Sequence, residues 1–164
     1  KKYKIPNILN NKKNILIIPG ASLEAKIYPA TQLSHLINEL NGNISVIWGS
    51  YAEKKIADEI KVLCPHIKVV EKLTIDSLVS LISQVDLVIG SDTGPTHMAW
   101  GLNIPSITLY GLTPGYRNSY TTITNRIIES NSKVNPLKIN KNDFSIKDIA
   151  VNDIVKISNE LLRG

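Results

Sequence analysis

Short runs that are apolar throughout alternate along this chain with segments whose apolar residues recur every three or four positions. The apolar runs lie at residues 14–19, 44–48, 67–70, 87–89 and 106–110, and each ends at a glycine, proline or polar residue. They are short enough for strands and dominated by apolar residues, as expected of strands buried on both faces. Between them, residues 29–40 place Leu33, Leu36, Ile37 and Leu40 on one helical face. Residues 53–63 do the same with Ile56, Ile60 and Leu63, and residues 75–84 with Leu78, Leu81 and Ile82. Residues 95–102 predict a fourth helix, and residues 152–162 a last one with Ile154, Val155, Ile157, Leu161 and Leu162. Residues 111–120 read as a loop, and residues 122–128 as a further short strand.

Strands separated by helices predict an α/β domain: a doubly wound parallel sheet covered by helices on both faces. Such sheets bind ligands beyond the carboxyl ends of their strands. Those ends are Pro19-Gly20-Ala21-Ser22, Trp48-Gly49-Ser50, Val70-Glu71-Lys72-Leu73, Ser91-Asp92-Thr93-Gly94 and Tyr110-Gly111, so the polar turns gather on one edge whatever the strand order. Residues 14–164 suit one domain with a real core. Residues 1–13 read as a basic linker: they hold five lysines and no acid, while the other 151 residues hold 14 basic and 14 acidic side chains. The net charge of +5 therefore belongs to this arm. It is either a solvated linker or a contact with an anionic surface such as the inner membrane. No aromatic-plus-basic pattern accompanies the lysines, which argues against nucleic acid.

No apolar run approaches the roughly 20 residues of a membrane span, and no apolar segment of a signal peptide follows the lysines. The single cysteine, Cys64, reads as a buried thiol, and a reducing, cytoplasmic setting fits. The only methionine is Met98, so the chain is expected to be a processed product or a piece of something longer.

The densest chemistry is Ser91-Asp92-Thr93-Gly94-Pro95-Thr96-His97. A strand end, a hydroxyl, a carboxylate, a glycine and an imidazole meet at a helix N-terminus. Unpaired first-turn N–H groups and the helix dipole favour an anion there. Each residue also has a plain reading: Thr93 and Gly94 as an ordinary cap, Asp92 as a turn aspartate, His97 as a packed histidine. Ser22 and Lys26 lie in the loop after the first strand, where a hydroxyl and a flexible cation suit a phosphate; Lys26 reads equally as a surface lysine. Glu53 is placed to accept ribose hydroxyls or to stabilise a helix N-terminus. Neither G-x-G-x-x-G after the first strand nor G-x-x-x-x-G-K-S/T is present, which disfavours a dinucleotide dehydrogenase and a P-loop enzyme.

Three stretches in order resemble a known family. Asp92-Thr93-Gly94-Pro95-Thr96-His97 followed by Ile104-Pro105 and Leu109-Tyr110-Gly111-Leu112-Thr113, the loop from Pro19 to Pro29 with Lys26, and Trp48-Gly49-Ser50-Tyr51-Ala52-Glu53 are similar to motifs of the ADP-heptose:lipopolysaccharide heptosyltransferases, more to heptosyltransferase I than II. The resemblance implies one Rossmann-like lobe of the two-lobed GT-B glycosyltransferase architecture, the C-terminal lobe that binds the nucleotide sugar. It implies that Ser22, Lys26, Thr93 and Gly94 hold the diphosphate, Glu53 the ribose, and Leu73 the adenine. Asp92 would contact the heptose, and His97 would lie by the phosphates or support the loop. The implied reaction is inverting transfer of heptose from ADP-heptose to Kdo-lipid A during lipopolysaccharide biosynthesis, with no metal and no cofactor. The acceptor site and catalytic base are expected in an N-terminal lobe absent from this chain, which alone is expected to be inactive. A cytoplasmic protein, peripheral on the inner face of the membrane, is the implied setting. Leu112 stands where the family commonly has proline, and residues 115–120 depart from its pattern. Two other readings stand beside this one: a UDP-sugar 2-epimerase-like lobe, and a non-enzymatic nucleotide-sensing domain.

Overall fold

A computed structural model describes residues 11–115 and 121–164. Among these residues six strands form one sheet: β1 (Lys13–Ile18), β2 (Gly42–Val46), β3 (Lys68–Val69), β4 (Leu87–Ser91), β5 (Ser106–Tyr110) and β6 (Asn125–Glu129). Among the described residues, five helices connect and follow them: α1 (Ala30–Glu39), α2 (Tyr51–Leu63), α3 (Ile75–Ile82), α4 (Gly94–Gly101) and α5 (Val151–Arg163). The strand order is β3-β2-β1-β4-β5-β6, and every neighbouring pair is parallel.

The unbroken apolar character of β1 has a direct cause. Successive strand side chains point to opposite faces, and both faces of this sheet are covered. Ile15 and Ile17 join a core with Leu33, Leu36 and Ile37 of α1, Ala57 and Ile60 of α2 and Ile154 of α5. Leu16 and Ile18 join a second core with Leu81 and Ile82 of α3 and Ala99 of α4. Cys64 is buried at the end of α2, and burial raises its thiol pKa.

Element ends depart from the sequence expectation for local reasons. The first strand starts at Lys13, inside the stretch read as linker; residues 1–10 of that stretch and residues 116–120 of the expected loop lie outside the described residues. The second strand covers Gly42–Val46 rather than 44–48. The last strand begins at Asn125 because the Thr122 hydroxyl accepts the backbone N–H groups of Thr124 and Asn125 and turns the chain. Helix α2 begins two residues early, at Tyr51, behind a Ser50–Glu53 capping box. Helix α4 stops because Asn103 takes a left-handed φ of 55°; its N–H reaches the Trp100 carbonyl and that of Ile104 the Ala99 carbonyl, the paired closure typical of a helix C-terminus. Two 3-10 turns, Glu24–Lys26 and Ser145–Asp148, carry too few residues to show a period.

Tyr28 ties the loop after β1 to the approach of α5. Its side chain is 2% exposed, and its hydroxyl donates to the Ile149 carbonyl at 2.7 Å. Burial pushes the Tyr28 pKa from its ordinary 10 to about 12. The folded state thus prefers the neutral phenol, a preference that is complete below pH 10 and lost as pH rises through about 12. Tyr28→Phe is expected to destabilise the fold by about 1–2 kcal/mol at neutral pH, since it leaves a buried carbonyl unpaired. The variant should also lose stability less steeply than the wild type between pH 10 and 12. Urea midpoints taken across that range check both parts.

Candidate functional site

In this strand order the chain's progression reverses between β1 and β4. Connections leave these two adjacent strands in opposite directions across the sheet and open a crevice beyond their carboxyl ends. A cavity of about 340 Å³ occupies that crevice. One wall is the turn after β1, Gly20-Ala21-Ser22; the other is the turn after β4, Asp92-Thr93-Gly94. Trp48, Gly49 and Glu53 contribute from the β2–α2 turn, and Ile18, Ile47, Leu73 and Leu78 make an apolar side.

Asp92 is the electrostatic centre of this edge. It follows the last residue of β4 and its side chain is only 7% exposed. A buried carboxylate is strongly disfavoured unless it is paired and hydrogen-bonded, and Asp92 is both. Lys26 Nζ lies 3.1 Å from Oδ2 with 17% of its side chain exposed, and the Thr113 hydroxyl donates to the same oxygen at 3.2 Å. His97 Nε2 lies 2.8 Å from Oδ1, too oblique for a linear hydrogen bond and an ion pair whenever the imidazole is protonated. The His97 ring stacks on Trp100 with centroids 4.1 Å apart.

Helix α4 opens against the cavity. Thr93 is its N-cap residue in extended conformation, but its hydroxyl makes no cap bond. It pairs instead with Thr96 Oγ1 at 3.1 Å, so the first-turn N–H groups keep no side-chain cap. A Cβ built on Gly94 would meet no protein atom within 4 Å. The glycine therefore leaves open space directly before the helix N-terminus, where a phosphate can approach the backbone.

Glu53 does two things at once. As the third residue of α2 it accepts the N–H groups of Ser50 and Gly49 through Oε2, and it also lines the cavity. Its side chain packs against Gly20: a Cβ there would fall 2.3 Å from Glu53 Cγ, so only glycine leaves room for the carboxylate. The Trp48 indole N–H is fixed on the Val70 carbonyl at 2.8 Å, which holds the ring at the rim beside the β3 end.

Of the residues singled out from sequence, Ser22, Glu53, Leu73, Asp92, Thr93 and Gly94 line this single cavity. Lys26 and His97 do not line it, but they join it through Asp92. Glu71, Lys72 and the Tyr110-Gly111 turn are at the same sheet edge without lining it. Thr113 was not among the candidate residues, although it falls in the Tyr-Gly-x-Thr stretch; nothing in the spacing shows that it faces Asp92. Leu112 is buried at 1% exposure. Among the described residues no helix is long and apolar enough to cross a membrane.

Comparison with known proteins gives a consistent picture. The family model of glycosyltransferase family 9 (heptosyltransferase) matches residues 1–143. A lipopolysaccharide heptosyltransferase 1 of Campylobacter coli is 39% identical over 164 residues, covering 94% of this chain and 48% of the relative. The chain thus spans about half the length of that curated relative. A family 9 glycosyl transferase from Veillonella parvula superposes with a TM-score of 0.81 at 17% identity, over 96% of this chain and 48% of that one. The Escherichia coli heptosyltransferase WaaC, solved with ADP, superposes with a TM-score of 0.77 at 18% identity, over 92% of this chain and 44% of that one.

Proposed function

The chain belongs to glycosyltransferase family 9, the heptosyltransferases, and from that premise we propose that it is the donor-binding lobe of an inverting enzyme that moves heptose from ADP-heptose to the Kdo-lipid A core of lipopolysaccharide. The observation that carries this reading is the cavity at the β1–β4 reversal, with an uncapped helix N-terminus, an open Gly94 and, on its wall, Asp92 paired with Lys26 behind it. A diphosphate suits that wall. Lys26, the Ser22 hydroxyl and the N–H groups around Thr93 and Gly94 supply charge and donors. Glu53 accepts ribose hydroxyls, and Leu73, with Leu78 and Ile47, gives an apolar bed for adenine. Asp92 faces the sugar.

The acceptor hydroxyl attacks the anomeric carbon from the face opposite the diphosphate. Its proton passes to a base on the acceptor lobe, outside residues 1–164. The bond to the diphosphate oxygen breaks, and ADP leaves with the electron pair. Negative charge grows on the leaving group, and fixed cations and N–H dipoles already aimed at that place stabilise it most in the transition state. That is the part this lobe performs. An acceptor carried by lipid puts the work at the inner face of the cytoplasmic membrane, where the lysines of residues 1–13 provide a cationic contact.

Thermal unfolding of the chain with ADP, UDP, GDP and ADP-heptose tests the donor assignment. A ligand that binds only the folded state adds about 2.7 kcal/mol of stability at a hundred times its dissociation constant. ADP and ADP-heptose are expected to raise the midpoint, and UDP and GDP to leave it unchanged. A rise with UDP alone would contradict the proposal in favour of a 2-epimerase-like site. Stabilisation by no nucleotide would contradict it outright.

A further inference from the structure

We infer that Thr113 is a positioning residue for the sugar-contacting carboxylate: it holds Asp92 in place while the bound diphosphate draws Lys26 away. The inference rests on the donor-site reading above. Asp92 meets partners of two kinds. Lys26 and His97 are cationic or become so on protonation, and a diphosphate arriving before α4 competes for both. Thr113 is neutral and only 4% exposed, against 17% and 36% for the Lys26 and His97 side chains. Its hydroxyl therefore has no anionic ligand to turn to, and it stays on Asp92 Oδ2, the oxygen it shares with Lys26.

The segment that carries Thr113 is held firmly enough for this task. Tyr110 and Leu112 are each 1% exposed. Gly111 sits so tightly on the 3-10 turn at Ser145–Asp148 that an added Cβ would fall 2.9 Å from the Ile146 nitrogen and 2.8 Å from its Cβ. A donor on a rigid support outside the first ring of ligand contacts fixes the rotamer of the group it holds. Thr113 thus acts from beyond the carboxyl end of β5 on a residue beyond the end of β4, and never on the nucleotide.

This separates two affinities. Loss of the Thr113 hydroxyl leaves the Asp92 rotamer unfixed once Lys26 has turned to the diphosphate, which weakens grip on the sugar and leaves the nucleotide contacts in place. Calorimetric titration of the chain with ADP and with ADP-heptose reads the difference. Thr113→Val is expected to weaken ADP-heptose about tenfold and ADP by less than about twofold, the tenfold loss corresponding to about 1.4 kcal/mol. Thr113→Ser restores the wild-type ratio, and Thr113→Ala reproduces the loss without the β-branch. On an Asp92→Asn background Thr113→Val adds no further loss, as coupled partners require. Equal weakening of both ligands, or an unchanged ratio in a chain that still binds ADP, would overturn the inference alone. A wild-type chain that binds no ADP would overturn the donor-site reading and this inference with it.

Discussion

Lys26→Ala is expected to weaken ADP binding by about a hundredfold, or about 2.7 kcal/mol. Two effects of the same sign combine. The first is loss of a cation from the diphosphate, since a hydrogen bond to a charged partner contributes about 1.5–3 kcal/mol. The second comes from Asp92, which is 7% exposed and would then face the diphosphate without the ammonium that sits between them in charge. The fold itself should suffer less, because Thr113 and His97 still reach Asp92. The double variant Lys26→Met with Asp92→Asn separates the two effects: it removes the carboxylate charge that has lost its ammonium and recovers stability, yet ADP affinity stays low. Calorimetry against ADP, paired with urea unfolding, checks both. Wild-type affinity in Lys26→Ala would remove Lys26 from the phosphate site.

Gly90→Val is expected to cost about 3 kcal/mol or more of stability, at the upper end for overpacking a filled core. Gly90 lies in β4 between Ile18 of β1 and Thr108 of β5. A Cβ there would fall 2.5 Å from Thr96 Oγ1 and 3.0 Å from Ile18 Cβ. Thr96 is fully buried, so helix α4 rests on the sheet at the one position of β4 that lacks a side chain. Valine must lift the helix or spread the strands. Either movement carries Thr93 and Gly94 with it, so nucleotide affinity falls along with the urea midpoint. An unchanged midpoint would mean that α4 has slack against β4, and the close approach would then have no structural weight.

These two residues show where sequence reading reaches and where it stops. The strand before Asp92 is visible as Leu87-Val88-Ile89, and the polar turn after it is visible by composition. That the strand continues through Gly90 and Ser91 is not, because glycine alone marks a strand end as readily as a close contact. The α/β layering follows from the two hydrophobic periods, and the parallel six-stranded sheet agrees with it. Strand order follows from crossovers between distant segments and leaves no local trace; the pairing of β1 with β4, on which the cavity depends, is such a fact. The family was legible because three motifs keep their order, and the match over residues 1–143 establishes it.

The candidate site was legible in its parts rather than in its wiring. Turn chemistry singles out Ser22, Asp92, Thr93 and Gly94 one by one. The 66-residue separation of Lys26 from Asp92 and the 21-residue separation of Thr113 from it hide their meeting. Glu53 was read as either a ribose acceptor or a helix-end carboxylate. It caps α2 through Oε2, which is the helix-end reading, and the same side chain also lines the cavity. The Tyr28 contact gives no sequence signal, since its partner is a backbone carbonyl 121 positions away.

Backbone amide chemical shifts followed by NMR during titration with ADP test the central claim most directly. The largest changes are expected at Gly20, Ala21 and Ser22, at Gly49, and at Thr93, Gly94 and Thr96, which together surround the cavity or open α4 beside it. Saturable changes confined to those turns would place the nucleotide at the β1–β4 reversal. Saturable changes centred elsewhere, or none at ADP concentrations that saturate the thermal shift, would contradict the account.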